Sequence, residues 1–371
     1  MHTGASRQRD SGLAALDLDI RIDMYRLIAS AAFVLFSIAA CGAQTQQSEA
    51  NSSDGANPPI TFETAKALAG KGRLDQAMEQ LDLLVKQNPE PAGVERLRAM
   101  IFYQRERFPE AIEAFGKAAA QDPTDHESVE MQGVSLFRLG RIQEAIPLLE
   151  KARVGVERAN VDPNYVLGLC YADVQRYDDA RHAFAAQYGF DPDSAEAYLL
   201  AGRLFLRREL RDQAGQSATK ALAINPSLPL AHELLGEVAL AKGDMEMAIR
   251  ELEAERKLNP LNPDLYDRLG DAYLRDERYT EAREALNRAV LLEPNSTGPY
   301  ILLGETFLKL KQPIQALQYL HHAVKMDPSN YITHNLLGQA YKATGQLAEA
   351  NREFKMAVDL QHQPIPNPAG K

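Results

Sequence analysis

Residues 263–296 read PDLYDRLGDAYLRDERYTEAREALNRAVLLEPNS, and the fold is read outward from this stretch. Leu265, Tyr266, Leu269, Ala272 and Tyr273 follow one another at helical steps. Ala282, Ala285, Leu286 and Ala289 do so again after a polar break. The pattern predicts two short amphipathic helices joined by a turn. Gly270 in the first is followed twelve positions later by Ala282 in the second.

The same pair recurs as Ala65/Ala77, Ala99/Ala111, Gly133/Ala145, Gly168/Ala180, Gly202/Ala214, Gly236/Ala248, Gly304/Ala316 and Gly338/Ala350. Its step is 34 residues throughout, except 35 between Gly133 and Gly168. Nine copies at a fixed period mark a repeat architecture. Small residues where two helices cross let the backbones approach closely. Larger ones fill the space around them: Tyr171 with Phe184, Tyr273 with Leu286, Tyr341 with Phe354. Near the end of most units an acidic or amide residue precedes proline, as in Asn88-Pro89, Asp122-Pro123, Asn225-Pro226 and Glu293-Pro294. Proline stops one helix and pre-sets the next segment.

A 34-residue helix–turn–helix with this pattern resembles the tetratricopeptide repeat, and the resemblance covers residues 58–364. It implies an all-α fold, an α-solenoid of about nine repeats (58–91, 92–125, 126–160, 161–194, 195–228, 229–262, 263–296, 297–330 and 331–364). It also implies a right-handed superhelix whose concave groove is lined by the first helices. The sequence departs from the family at the tryptophan usual early in the first helix, which Tyr198, His232, Tyr266, Tyr300 and His334 replace. The third repeat has one extra residue and no terminal proline, and the first is degenerate, as an end cap often is. The tail after Leu360 holds three prolines and no capping helix, so Leu347–Leu360 is expected to expose apolar residues.

Composition narrows the function. Of 371 residues, 45% are hydrophobic and 25% charged, which excludes wholesale disorder. There are 41 Lys plus Arg against 51 Asp plus Glu, a net charge of −10, so no basic footprint for nucleic acid exists. Two cysteines make no disulfide framework. Tryptophan is absent and aromatics are 7%, which argues against a stacking groove for sugars or bases.

The segment before the repeats reads differently. Leu27–Ala40 is a fourteen-residue apolar run, too short to span a hydrocarbon core of ~30 Å and suited to a secretory signal. Residues 1–40 are read as an upstream extension plus this signal, and a start at Met24 leaves only Met-Tyr-Arg ahead of the run. Ile38-Ala39-Ala40-Cys41 resembles a bacterial lipobox, which implies diacylglyceryl attachment to Cys41 and cleavage before it. An ordinary signal cut after Ala39 or Ala40 leaves a plain thiol instead. Residues 41–57, polar and without apolar period, read as the lipidated cysteine and a flexible tether. The implied location is a bacterial membrane, facing the periplasm, with Gly42 after the cysteine favouring the outer membrane. Residues 365–371 form a short tail.

Candidate chemistry is sparse. Cys170 aligns with Leu204, Val238, Ala272, Thr306 and Ala340, so it reads as a small buried hydrophobe. His321 and His322 are adjacent and share no helix face, which places a metal pair poorly. No Ser-His-Asp grouping, phosphate loop or paired CxxC is present. The expectation is a non-enzymatic protein without metal, cofactor or small-molecule substrate. Two groove chemistries of the family are also missing. The carboxylate clamp needs Lys and Asn where this chain has Glu130/Val134, Leu199/Arg203, Glu233/Glu237 and Asp267/Asp271. The asparagine ladder is replaced by Val166, Leu200, Leu234, Arg268, Leu302 and Leu336.

What remains is a charged strip along the first helices. One row is Arg203, Glu237, Asp271 and Glu305; beside it runs Leu199, Glu233, Asp267 and Ile301. Glu233/Glu237 and Asp267/Asp271 are like-charge pairs four residues apart, each costing its helix a few tenths of a kcal/mol. A merely solvated face is the alternative to a functional one. Arg207, Arg275 and Lys309 lie one turn further, with Asp271 and Arg275 spaced to pair. The expected partner is a protein or peptide with a basic or amide-rich segment, held by a membrane-anchored interaction scaffold for envelope assembly or secretion. The alternative is the regulatory subunit of an envelope enzyme or transport complex. For the anchor, Cys41→Ser is expected to leave the protein uncleaved or released from membranes, because two or more acyl chains hold stably and one does not. Mass spectrometry finding an unmodified Cys41, or a mature chain beginning at Gly42, would refute lipidation.

Overall fold

Each repeat closes through the same turn. The computed structural model describes residues 59–153 and 163–362, so the signal, Cys41, the tether, the end of the third repeat and the tail lie outside the described residues. Among the described residues there are 18 helices and no strand. They are α1 (Phe62–Gly70), α2 (Leu74–Leu84), α3 (Val94–Gln104), α4 (Phe108–Gln121), α5 (His126–Arg138), α6 (Ile142–Ala152), α7 (Pro163–Asp173), α8 (Tyr177–Tyr188) and α9 (Ala195–Arg207). There follow α10 (Arg211–Ile224), α11 (Ala231–Lys242), α12 (Met245–Leu258), α13 (Pro263–Arg275), α14 (Tyr279–Leu292), α15 (Thr297–Lys309), α16 (Pro313–Met326), α17 (Tyr331–Ala343) and α18 (Leu347–Gln361). The array divides into two compact units, residues 1–192 and 193–371.

Between the first and second helix of every repeat one residue is left-handed: Gly72, Glu106, Gly140, Gln175, Glu209, Gly243, Glu277, Lys311 and Gly345, with φ from 57° to 81°. The next residue's N–H bonds back to a carbonyl five residues earlier, as Arg107 to Phe102 (2.9 Å), Arg278 to Tyr273 (2.9 Å) and Gln312 to Phe307 (2.8 Å). This 6→1 bond ends the first helix and starts the reversal. Glycine is the residue usual at such a position, yet five of the nine are Glu, Gln or Lys. The following Arg then steadies the second helix. Arg107, Arg141, Arg176 and Arg278 each bind an acidic residue three positions on, at 2.6 to 3.0 Å. Three of them also lie over an aromatic ring of the first helix: Arg107 over Phe102, Arg176 over Tyr171, Arg278 over Tyr273.

Packing sits where the period places it. All nine alanines of the second helices are 0–2% exposed. A methyl group added at Gly270 would lie 2.3 Å from Leu286, at Gly304 2.4 Å from Leu320, at Gly168 2.4 Å from Phe184 and at Gly338 2.5 Å from Phe354. The residue directly over each of these glycines is thus the large one sixteen positions on, whereas Gly202 faces Leu234 of the next repeat. The alanine contributes its carbonyl edge, 3.2 Å from such a methyl at Gly202. Cys170 is buried in α7, as its aligned neighbours suggested.

The replaced tryptophan also has an account. Tyr266 and Tyr300 donate their hydroxyls to the carbonyls of Pro260 and Pro294 (3.1 Å each), and His334 Nε2 lies 3.0 Å from the Pro328 carbonyl. His232 and His334 bond Glu251 and Glu353 across the hairpin, Nδ1 to Oε2 at 2.8 and 2.6 Å. Tyr266, Tyr300 and His334 thus tie their repeats to the proline turn before each. In α18, Leu347, Met356 and Val358 are 61%, 46% and 51% exposed, the apolar exposure expected of this segment. Among the described residues no helix is long and apolar enough to cross a membrane.

Gly270→Leu should destabilise the array by about 1–3 kcal/mol or more, because overpacking must push α13 off α14. Lys242→Leu removes only a surface contact to Asp212, worth about 0–1 kcal/mol. Urea melts of both variants check this, and indistinguishable melts would mean the hairpin register is wrong.

Candidate partner-binding face of the second unit

The first helices α9, α11, α13, α15 and α17 touch one another in sequence. The residues one position after each central glycine are Arg203, Glu237, Asp271 and Glu305, all half-buried. The neighbouring row is deeper at its start: Leu199 is 1% and Glu233 3% exposed, while Asp267 and Ile301 are half-buried.

The acidic residues are organised by one arginine. Arg268 of α13 reaches back to α11, Nη1 to Glu233 Oε1 at 3.3 Å and Nε to Glu237 Oε1 at 2.9 Å. Asn262 caps α13 by accepting the Asp264 N–H (3.1 Å) and donates its Nδ2 to Glu233 Oε2 (2.7 Å). A single guanidinium thus answers the like-charge pair that the helix alone leaves unexplained. Behind it the fully buried Glu255 of α12 accepts the N–H of Leu230 (2.8 Å), a left-handed residue at the start of α11. Burial raises its pKa.

Burial dominates the electrostatics. It pushes Glu233 up to about 7; Arg268 and Arg203 pull it down, and Glu237 and Glu255 add to the rise. Asp267 is pushed up to about 6 by burial, with Arg268 lowering it and Asp264 and Asp271 raising it. Oδ1 of Asp267 is buried and accepts no hydrogen bond among the described residues. Asp271 and Arg275 form the expected pair, Oδ2 to Nη2 at 2.8 Å and Oδ1 to Nε at 2.9 Å. Arg207, at the end of α9, is exposed, and Glu305 makes no ion pair among the described residues.

The structure therefore brings together Glu233, Glu237, Asp267 and Asp271, and adds Arg268, Asn262 and Glu255. Arg268 carried a signal in the sequence, being the one charge in a row otherwise Val166, Leu200, Leu234, Leu302 and Leu336. Asn262 and Glu255 carried none. Carboxyls of raised pKa are the raw material of acid–base chemistry; here they sit in an ion-pair network with Arg268 and Arg275. Among the described residues no group of three or more His, Cys, Asp or Glu is placed to hold a metal ion.

Glu233 gives a pH signature. Its folded pKa lies above the ordinary 4.5, so the folded state holds this proton more tightly than the unfolded chain. The stability it contributes is complete below about 4.5 and is lost as pH rises through about 7. Glu233→Gln should therefore gain on the native protein by about 2 kcal/mol between pH 5 and 7.5, at roughly 1.4 kcal/mol per pKa unit over that window. Urea denaturation across that range reads it. A gap that stays constant or closes with rising pH would mean that the Arg268 pair outweighs burial.

Two family models agree with this architecture. Residues 230–299 and 307–367 each match a family described as tetratricopeptide repeat. Residues 55–203 match the family of the N-terminal domain of the T7SS, ESX-1 secretion system protein EccA1. No curated protein matches the chain. Similar solved structures include YrrB, described as a tetratricopeptide-repeat protein with an unusual peptide-binding site (23% identity, 49% of this chain and 93% of that one, TM-score 0.44). They also include MamA of Desulfovibrio magneticus RS-1 (22%, 46% and 96%, TM-score 0.43) and pilF of Pseudomonas aeruginosa (23%, 46% and 78%, TM-score 0.42). With its nine matching turns and its buried glycine crossings, the chain is an all-α solenoid of tetratricopeptide repeats.

Proposed function

We propose that this protein is a non-enzymatic interaction module, tethered to a bacterial envelope membrane through lipid on Cys41. Its second unit would hold an extended, basic or amide-rich segment of a partner protein along α9, α11, α13 and α15. The observation that carries the reading is the Asp267 carboxyl, half-buried on this face with one oxygen that accepts no hydrogen bond among the described residues. A buried acceptor left open costs about 1–3 kcal/mol, and an incoming ammonium or amide N–H removes that cost. Glu237 and Asp271 flank it as half-buried carboxylates already facing one cation each, so a ligand donor competes with or joins Arg268 and Arg275. Attraction of this kind chiefly accelerates capture and is screened beyond ~8 Å at physiological salt.

The test uses a fluorescein-labelled, unstructured peptide of alternating Lys and Gln, read by anisotropy. The double reversal Glu237→Lys, Asp271→Lys should weaken binding at least tenfold with helix content intact by circular dichroism. Native binding should fall steadily as salt is raised. Binding that ignores both the reversal and the salt would reduce this face to a wet surface.

A further inference from the structure

The first unit holds a cavity of 410 Å³ between α1, α3 and the end of α4, within the size range of sites for small ligands and single side chains. Its existence follows from three small residues. Ala92, Gly93 and Ala118 line it where larger side chains would fill it. Gly93 starts α3 in a left-handed conformation (φ 84°), and a methyl group there would sit 3.0 Å from the Phe62 ring. The apolar surface comes from Phe62, Leu97 and Met100. Leu97 holds the repeat position that Arg268 holds in the second unit, two before the small residue of its first helix.

The charged groups around this cavity are unequal. Asp122 accepts the N–H and hydroxyl of Thr124 (2.9 and 2.6 Å), and Asp125 caps α5 through the N–H and hydroxyl of Ser128 (3.0 and 2.6 Å). Arg96 lies 3.7 Å from Asp125 and 3.4 Å from Glu127. Lys66, half-buried on α1, makes no ion pair among the described residues. Lys66 is therefore the one cation lining the cavity without a carboxylate partner among the described residues, and it lies beside an apolar floor.

We infer that this cavity is a second binding site, which takes a peptide segment presenting a large apolar side chain next to a carboxylate, the apolar group on Phe62, Leu97 and Met100 and the carboxylate on Lys66. Its preference is opposite in charge to that of the acidic strip in the second unit. The two sites would let one chain hold two segments of different character.

The full-length protein is titrated with a fluorescein-labelled Gly/Ser peptide carrying a central Phe-Asp pair, and with the same peptide carrying Phe-Asn. Phe-Asp should bind at least fivefold tighter than Phe-Asn. Lys66→Gln should abolish that difference. Met100→Trp, which fills the cavity, should weaken both peptides tenfold while the thermal melt stays native. The Glu237→Lys, Asp271→Lys protein should bind Phe-Asp as the native protein does, which separates this site from the strip. No binding of Phe-Asp at millimolar peptide, equal binding of the two peptides, or binding untouched by Lys66→Gln would overturn the inference.

Discussion

Everything in this chain depends on how closely two helices of one repeat approach. At the crossing the first helix offers a glycine, or in the first two repeats an alanine, and the second lays a leucine or phenylalanine on it. A single added methyl would lie 2.3 to 2.8 Å from that side chain in six of the seven repeats that carry glycine there; at Gly202 it would meet Leu234 of the next repeat instead, also at 2.8 Å. Nothing in such a contact is polar or directional; it is dispersion and apolar burial at high density. Its consequence is geometric. Within each repeat the two helices therefore approach closely.

Turn chemistry holds the hairpins in register. The left-handed residue and its 6→1 hydrogen bond recur in all nine repeats, although only four of these residues are glycine. A non-glycine residue there costs on the order of 1–2 kcal/mol. That it is tolerated five times shows how strongly the surrounding packing fixes the backbone. In three of the five, Arg107, Arg176 and Arg278 at the start of the second helix offset part of that cost by binding the acid three residues on and covering an aromatic ring. These contacts are shallow, and each contributes modestly; their value lies in repetition.

Charge is handled differently in the two units. In the second, Glu233 is buried and held by Asn262 at the end of its own repeat and by Arg268 of the next. A buried ion pair is weak evidence of stability, since removing both ions from water costs as much as their attraction returns. What it does is specify: only the native stacking places Arg268 between two glutamates of the preceding repeat. In the first unit the matching position is Leu97, the space stays open, and a lysine beside it is left uncommitted. One backbone pattern thus presents an acidic strip in one place and a lined cavity in another.

The sequence by itself determined the period, the hairpins and the core. Small residues at a spacing of 34 are dictated by steric exclusion, which acts locally and leaves its mark at fixed positions. The Asp271–Arg275 pair was legible for the same reason, being one turn apart on one helix. Five of the nine left-handed turns were not legible, because Glu, Gln and Lys carry no conformational signature of their own. Nor was the partner of Glu233: Arg268 lies 35 residues away, and only the tertiary stacking of α13 on α11 decides that its guanidinium meets both glutamates. The open oxygen of Asp267 and the cavity over Phe62 and Leu97 belong to the same class. Each is set by what neighbouring repeats leave unfilled, and unfilled space is a property of packed helices that no residue in the chain spells out.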